Sequence, residues 1–212
     1  MGISNVSHSF YGYPGRTVMK KRRTVIVLMA GIVSCMVGCP SPGSGPLLNA
    51  WMWVSGSDTV EQPGSYGTRG VADPSNMPGA RGSCLAWTDA ADNLWMFGGG
   101  DALGGEGYRN DLWRFDGADW TWISGSSAKD EAGNYGTILT PAGTNIPGAR
   151  RSGVSWTDTS DNLWLFGGAG YDGNGDYGRL NDLWRFDGTN WTWMSGGNLR
   201  NQSGTYGTRY TA

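Results

Sequence analysis

Histidine is nearly missing from this chain of 212 residues: the single one is His8, and none follows it. Serine–histidine and cysteine–histidine relays, and histidine-based metal centres, are thereby excluded from the body of the protein. Cysteine is scarce too, with Cys35, Cys39 and Cys84 the complete set. Positive charge is thin beyond residue 39, where eleven Lys and Arg, with Lys129 the only lysine, face eighteen acids for a net charge of −7. That balance leaves no electrostatic footprint for nucleic acid. Helical periodicity is absent from residue 51 onward. The longest apolar run, Thr24–Val37, is about fourteen residues, short of the roughly twenty that span a bilayer as a helix.

What is present is one passage written twice. PGARGSCLAWTDAADNLWMFGGGDALGGEGYRNDLWRFDGADWTWISG occupies 78–125, and PGARRSGVSWTDTSDNLWLFGGAGYDGNGDYGRLNDLWRFDGTNWTWMSG occupies 147–196. The offset is 69 residues from Arg81 to Arg150 and 71 from Trp113 to Trp184, a two-residue insertion before Asn181 making the difference. Trp51, Met52 and Trp53 repeat the terminal WTW once more. Each unit predicts four short strands, near 81–89, 93–98, 110–116 and 119–124, and near 150–158, 162–167, 181–187 and 190–195. Trp, Phe, Thr and Ile suit half-buried pleated surfaces, while Asp-Gly and Gly-Gly punctuate them.

A Gly-Gly doublet closing the second strand (Gly98-Gly99, Gly167-Gly168), an aromatic strand of the NDLWRF type and a Trp opening the fourth strand resemble kelch repeats. The period of about 70 is longer than the roughly 50 usual for that family, the excess lying between the fourth strand and the next first strand. The resemblance covers about residues 51–212. It implies an all-β fold of two four-stranded kelch-type propeller blades plus one orphan N-terminal strand. Two blades do not close a ring of about four to eight. The expectation is therefore an incomplete propeller, a truncated reading frame or fragment, or else chains that associate through open blade edges.

All twelve Trp lie beyond Cys39, and ten of them recur pairwise: Trp87/Trp156, Trp95/Trp164, Trp113/Trp184, Trp120/Trp191, Trp122/Trp193. Repetition at matched positions points to packing between sheets rather than to a ligand. Each buried Trp is worth roughly 4–6 kcal/mol of gross hydrophobic stabilisation.

Ahead of the repeats, Lys20-Lys21-Arg22-Arg23 and the apolar run read as a signal peptide, and Met36-Val37-Gly38-Cys39 resembles a bacterial lipobox. The expectation is lipidation at Cys39 and a membrane-anchored protein of the bacterial cell envelope, facing periplasm or surface. Met19 fits as the start of this leader. Residues 40–50 form a Pro/Gly/Ser tether. Cys84, matched by Gly153, reads as a small residue in a tight inner strand.

Short turns at one end of each unit and long connections at the other place the candidate binding residues on a single loop face. Tyr108, Arg109, Tyr135, Tyr171 and Tyr177 are expected there, facing a protein or glycan ligand, with Asp172 and Asp176 beside them. Asp172, Asn174 and Asp176 alternate with glycines as the first three ligands of a calcium loop do, although Tyr177 and Leu183 stand where that loop needs Gly and Glu. A Gly/Asp/Asn hairpin loop is the other reading of the same residues. Tyr-Gly-Thr recurs at 66–68, 135–137 and 206–208, as a binding element or as a loop folding back on its own blade. No catalytic residue stands out. A kelch-type carbohydrate-active enzyme or sugar isomerase remains the alternative to a binding module.

Overall fold

The computed structural model describes residues 27–29, 32–34, 51–101 and 107–209. Among them the protein is all-β, with no helix. Strands β1 (Val27–Met29) and β2 (Ile32–Ser34) form a two-stranded antiparallel pair. The remaining strands build two antiparallel sheets, one per sequence repeat. Cys39 and the tether at 40–50 lie outside the described residues, and no described helix is long and apolar enough to cross a membrane.

The first sheet runs β3 (Ala72–Asp73), β7 (Trp120–Ser124), β6 (Leu112–Phe115), β5 (Leu94–Phe97), β4 (Leu85–Thr88). The second runs β12 (Trp191–Ser195), β11 (Tyr177–Phe186), β10 (Leu163–Tyr171), with β9 (Val154–Thr157) and the short β8 (Arg150–Arg151) both on β10. All eight expected strands are present as a meander in each unit. Their register repeats: Trp87 faces Trp95 as Trp156 faces Trp164, and Trp113 faces Trp122 as Trp184 faces Trp193.

Four features depart from the sequence expectation. The second Gly-Gly doublet does not stop its strand; β10 bulges between Phe166 and Gly168 and continues to Tyr171. The stretch 169–180, expected as a long loop, is therefore mostly a β10–β11 hairpin around a tight turn at 172–176. The connection ahead of the first unit also contributes a strand, β3 pairing with β7, and Ala142 makes the matching bridge to Trp191 in the second. Residues 51–53, read as an orphan strand, join neither sheet as a strand, and Trp51 and Trp53 are largely exposed. Their local geometry nonetheless repeats that of β7 and β12. The indole N–H groups of Trp53, Trp122 and Trp193 donate to the carbonyls of Ser55, Ser124 and Ser195, at 3.1, 2.8 and 2.9 Å.

Because successive strand residues point to opposite faces, each sheet presents two apolar surfaces. Leu85, Trp87, Trp95, Phe97 and Leu112 of the first sheet interlock with Leu163, Leu165, Trp184, Phe186 and Trp191 of the second in one core, with Ile123 packed against it. Leu94, Met96, Trp113, Phe115 and Trp120 form a second core on the far side of the first sheet, with Val54 and Tyr66 against it. Polar contacts fix how the sheets meet. The Trp87 indole N–H donates to the Trp164 carbonyl (2.8 Å), and the hydroxyls of Ser155 and Thr157 donate to the carbonyls of Ala86 and Thr88 (both 3.1 Å). Arg150 joins the backbones, its N–H donating to Arg109 (3.0 Å) and its carbonyl accepting from Gly99 (2.9 Å). Gly98 is required there: its φ is +66°, and a Cβ would sit 2.5 Å from the Arg150 carbonyl oxygen.

Candidate functional site

Two polar constellations stand out, and burial separates their roles. The first is repeated. In each unit an arginine from the PGAR segment reaches the aspartate of NDLW. Arg81 pairs with both Asp111 oxygens at 2.5 and 2.8 Å, and Arg150 with both Asp182 oxygens at 2.7 Å. The tyrosine of the preceding Tyr-Gly-Thr donates to the same carboxylate, Tyr66 at 2.7 Å and Tyr135 at 2.6 Å. A Trp two residues along, Trp113 or Trp184, donates its indole N–H at 2.8 Å. Burial alone would raise the carboxyls of Asp111 and Asp182; the facing guanidinium and hydrogen bonds outweigh it and hold both below the ordinary carboxylate value. Burial first, then the neighbouring Asp111, pushes the Tyr66 phenol up to about 12; burial and then Asp182 raise Tyr135.

These groups are a structural lock, and they explain the Tyr-Gly-Thr recurrence. Tyr66 packs edge-on to Trp122 and tilted on Trp113, and Tyr135 does the same with Trp193 and Trp184. The next glycine, Gly67 or Gly136, has φ near +60° and abuts the amide oxygen of Asn76 or Asn145. That asparagine donates to two carbonyls, those of Val71 and Trp120 or of Thr140 and Trp191. The loop thus folds back and packs on its own unit. Tyr135 is accordingly corrected: it is 5% exposed, in the core, not on a ligand-facing loop. Arg109 is also buried, at 8%, and turns inward to the Tyr66 hydroxyl (3.2 Å) rather than joining Tyr108.

The second constellation is unrepeated and reaches solvent. Tyr108, Tyr171 and Tyr177 come together from both sheets. Tyr108 and Tyr177 stack with centroids 5.2 Å apart and planes 10° apart, and Tyr171 stands across both at 6.3 and 5.7 Å. The Arg151 guanidinium lies 5.1 Å over the Tyr108 ring. Asp130 accepts from the Tyr108 backbone N–H at 2.8 Å, and Lys129 beside it pairs with Asp101. The Tyr108 and Tyr177 hydroxyls are 3.4 Å apart; this contact lowers the Tyr177 phenol, helped by Arg151, and raises Tyr108. Burial and then Asp130 raise Tyr171. Sequence reasoning placed Tyr108, Tyr171 and Tyr177 on one face and missed Arg151. The available signal was that Arg151 stands where the first unit has Gly82.

The hairpin that carries Tyr171 and Tyr177 is set by Asp172. One carboxylate oxygen accepts the backbone N–H groups of Asn174 (2.8 Å) and Asp176 (3.0 Å), and the other accepts that of Arg200 (2.9 Å). Asp176 faces Arg200 instead, at 3.5 Å. The geometry therefore gives the Asp172, Asn174 and Asp176 segment the role of an Asx-type turn, and among the described residues no three His, Cys, Asp or Glu side chains gather as a metal-binding group. Asp89 and Asp158 do similar work, each accepting from an Asn and from the indole of Trp95 or Trp164.

Neither the family models nor the curated proteins contain a match to this chain.

Proposed function

We propose that this protein is an extracytoplasmic binding module, built on kelch-type propeller blades and lipid-anchored at Cys39. In this reading it binds glycan through the Tyr108–Tyr171–Tyr177–Arg151 surface. The duplicated four-stranded meander, the glycine-doublet bulge and the face-to-face stacking of the sheets support the blade reading. The tyrosine cluster carries the functional one. Repeated aromatics in this chain pack, whereas these three lack counterparts: Arg179 occupies the place matching Tyr108, and the hairpin bearing the other two contains the insertion. Stacked, solvent-reaching rings offer flat apolar faces to the C–H face of a sugar, while phenol hydroxyls and a guanidinium supply hydrogen bonds at the rim. Seating such groups on a scaffold-braced hairpin limits the ordering cost of binding.

A glycan array probed with the protein, repeated with Tyr171→Ala/Tyr177→Ala, tests this reading. Retention of specific glycans that the double variant loses is expected. Unchanged binding by the variant, or capture of proteins but no glycan, overturns it. Fatty-acid analogue labelling abolished by Cys39→Ala is expected for the anchor.

A further inference from the structure

The outer face of the second sheet carries the residues that the first sheet buries. Leu85, Trp87 and Phe97 are 2%, 4% and 0% exposed beneath the second sheet; their counterparts Val154, Trp156 and Phe166 are 60%, 42% and 44% exposed. Trp164, counterpart of the buried Trp95, is half-buried and stacks on Trp156. The Trp156 indole N–H has no acceptor among the described residues, whereas the Trp87 indole donates across the sheet interface. This is an interface of known design with one side unfilled.

The chain also contains the matching side. What covers Leu85, Trp87 and Phe97 is the Leu163, Leu165, Trp184, Phe186 and Trp191 face, and the first sheet repeats that face with Leu94, Met96, Trp113, Phe115 and Trp120. Size complementarity survives the transposition. Within the chain, Leu85 presses on Gly153, where a Cβ would come within 2.9 Å of its methyl carbon. In the transposed pair the smaller Val154 meets the larger Cys84. We propose that the Val154–Trp156–Trp164–Phe166 face docks a second copy of this chain, head to tail, by receiving the partner's first sheet as the second sheet receives its own. Trp156 then donates to the partner's Trp95 carbonyl, and the partner's Thr88 hydroxyl donates to the Thr157 carbonyl. Met194 takes the place that Val54 holds on the partner, so residues 51–54 give way and association competes with that intrachain contact. A heterologous contact of this kind generates rings or filaments, not a two-fold dimer.

The register supplies the test. Thr157 and Thr88 are neighbours across the intrachain interface and become neighbours between copies. Two differently tagged full-length chains, one Thr88→Cys and the other Thr157→Cys, are co-expressed and oxidised in cells beside the wild-type chain. A disulfide-linked dimer containing both tags, absent when either variant is expressed alone, is expected. Adding Trp156→Ala/Phe166→Ala to the Thr157→Cys chain is expected to return the mixed dimer to the wild-type background while circular dichroism stays unchanged. Three results overturn the proposal: no species beyond the wild-type pattern, a Thr157→Cys homodimer without the mixed product, or a mixed dimer indifferent to the face substitutions.

Discussion

Arg150 and Asp182 form a bidentate ion pair with both side chains wholly shielded from solvent, at 2.7 Å on each arm. Removing one partner strands the other charge, which costs about 3–5 kcal/mol. Arg150→Met is therefore expected to lower the urea unfolding free energy by about that much, and Arg150→Met/Asp182→Leu by distinctly less. Equal losses in the single and double variants would contradict this account.

Acid should weaken the fold through the same carboxylates. Asp111 and Asp182 titrate below their unfolded values, so the native state binds fewer protons and stability rises with pH. Their contribution is complete above the ordinary carboxylate range and is lost as pH falls through the lowered values. Asp158, held at about 2 by hydrogen bonds from Trp164 and then Asn162, titrates in the same direction. Urea midpoints measured from pH 5 downward should fall monotonically.

At the alkaline end Tyr66 works in the opposite sense. Its phenol is raised to about 12, so the stability it contributes is intact below the ordinary value of 10.0 and disappears as pH rises through about 12. Wild-type protein is expected to lose stability across that window. Tyr66→Phe should flatten the loss while lowering neutral-pH stability, because Asp111 then lacks one donor. The readout is the urea midpoint between pH 9 and 12.

Two glycines with positive φ separate turn strain from steric conflict. At Gly117 (φ +98°) an added Cβ meets nothing within 4 Å, and Gly117→Ala should cost about 1 kcal/mol of backbone strain. At Gly98 the Cβ would collide with the Arg150 and Arg109 carbonyl oxygens, at 2.5 and 3.0 Å. Gly98→Ala is expected to cost clearly more than Gly117→Ala and to part the sheets locally, seen as faster amide exchange at Arg150.

The matched tryptophans Trp87 and Trp156 differ in what covers them. Trp87→Ala opens a void in the inter-sheet core and should cost about 3–5 kcal/mol. Trp156→Ala, lacking that cover within one chain, should cost about 1 kcal/mol in dilute protein by thermal denaturation.

Strand order was legible because aromatic runs and Asp-Gly turns occur twice, and two copies of one pattern leave little freedom in register. The 172–176 turn was less so, since Gly, Asp and Asn at alternate positions serve an Asx turn and a cation loop equally. In the structure the Asp172 carboxylate accepts the Asn174 and Asp176 N–H groups and, from 28 residues away, that of Arg200, which no local pattern announces. The Arg81–Asp111 lock was hidden for a similar reason: its members lie 30 residues apart and meet only once β4 and β6 flank β5. Tyr135 was the avoidable error. It recurs 69 residues after Tyr66, and recurrence had already marked the tryptophans as packing residues. Of the tyrosine surface, the rings were visible and the arginine over them was not, because Arg151 reaches Tyr108 across the two sheets.

Arg150 serves both sheets at once. Its guanidinium closes the lock of the second, while its backbone N–H and carbonyl are bound to Arg109 and Gly99 of the first. Neither sheet can open at its Arg150 edge without forfeiting bonds in the other. The two repeats, although copies of one pattern, are thereby coupled into a single cooperative unit, and should melt in one calorimetric transition rather than two.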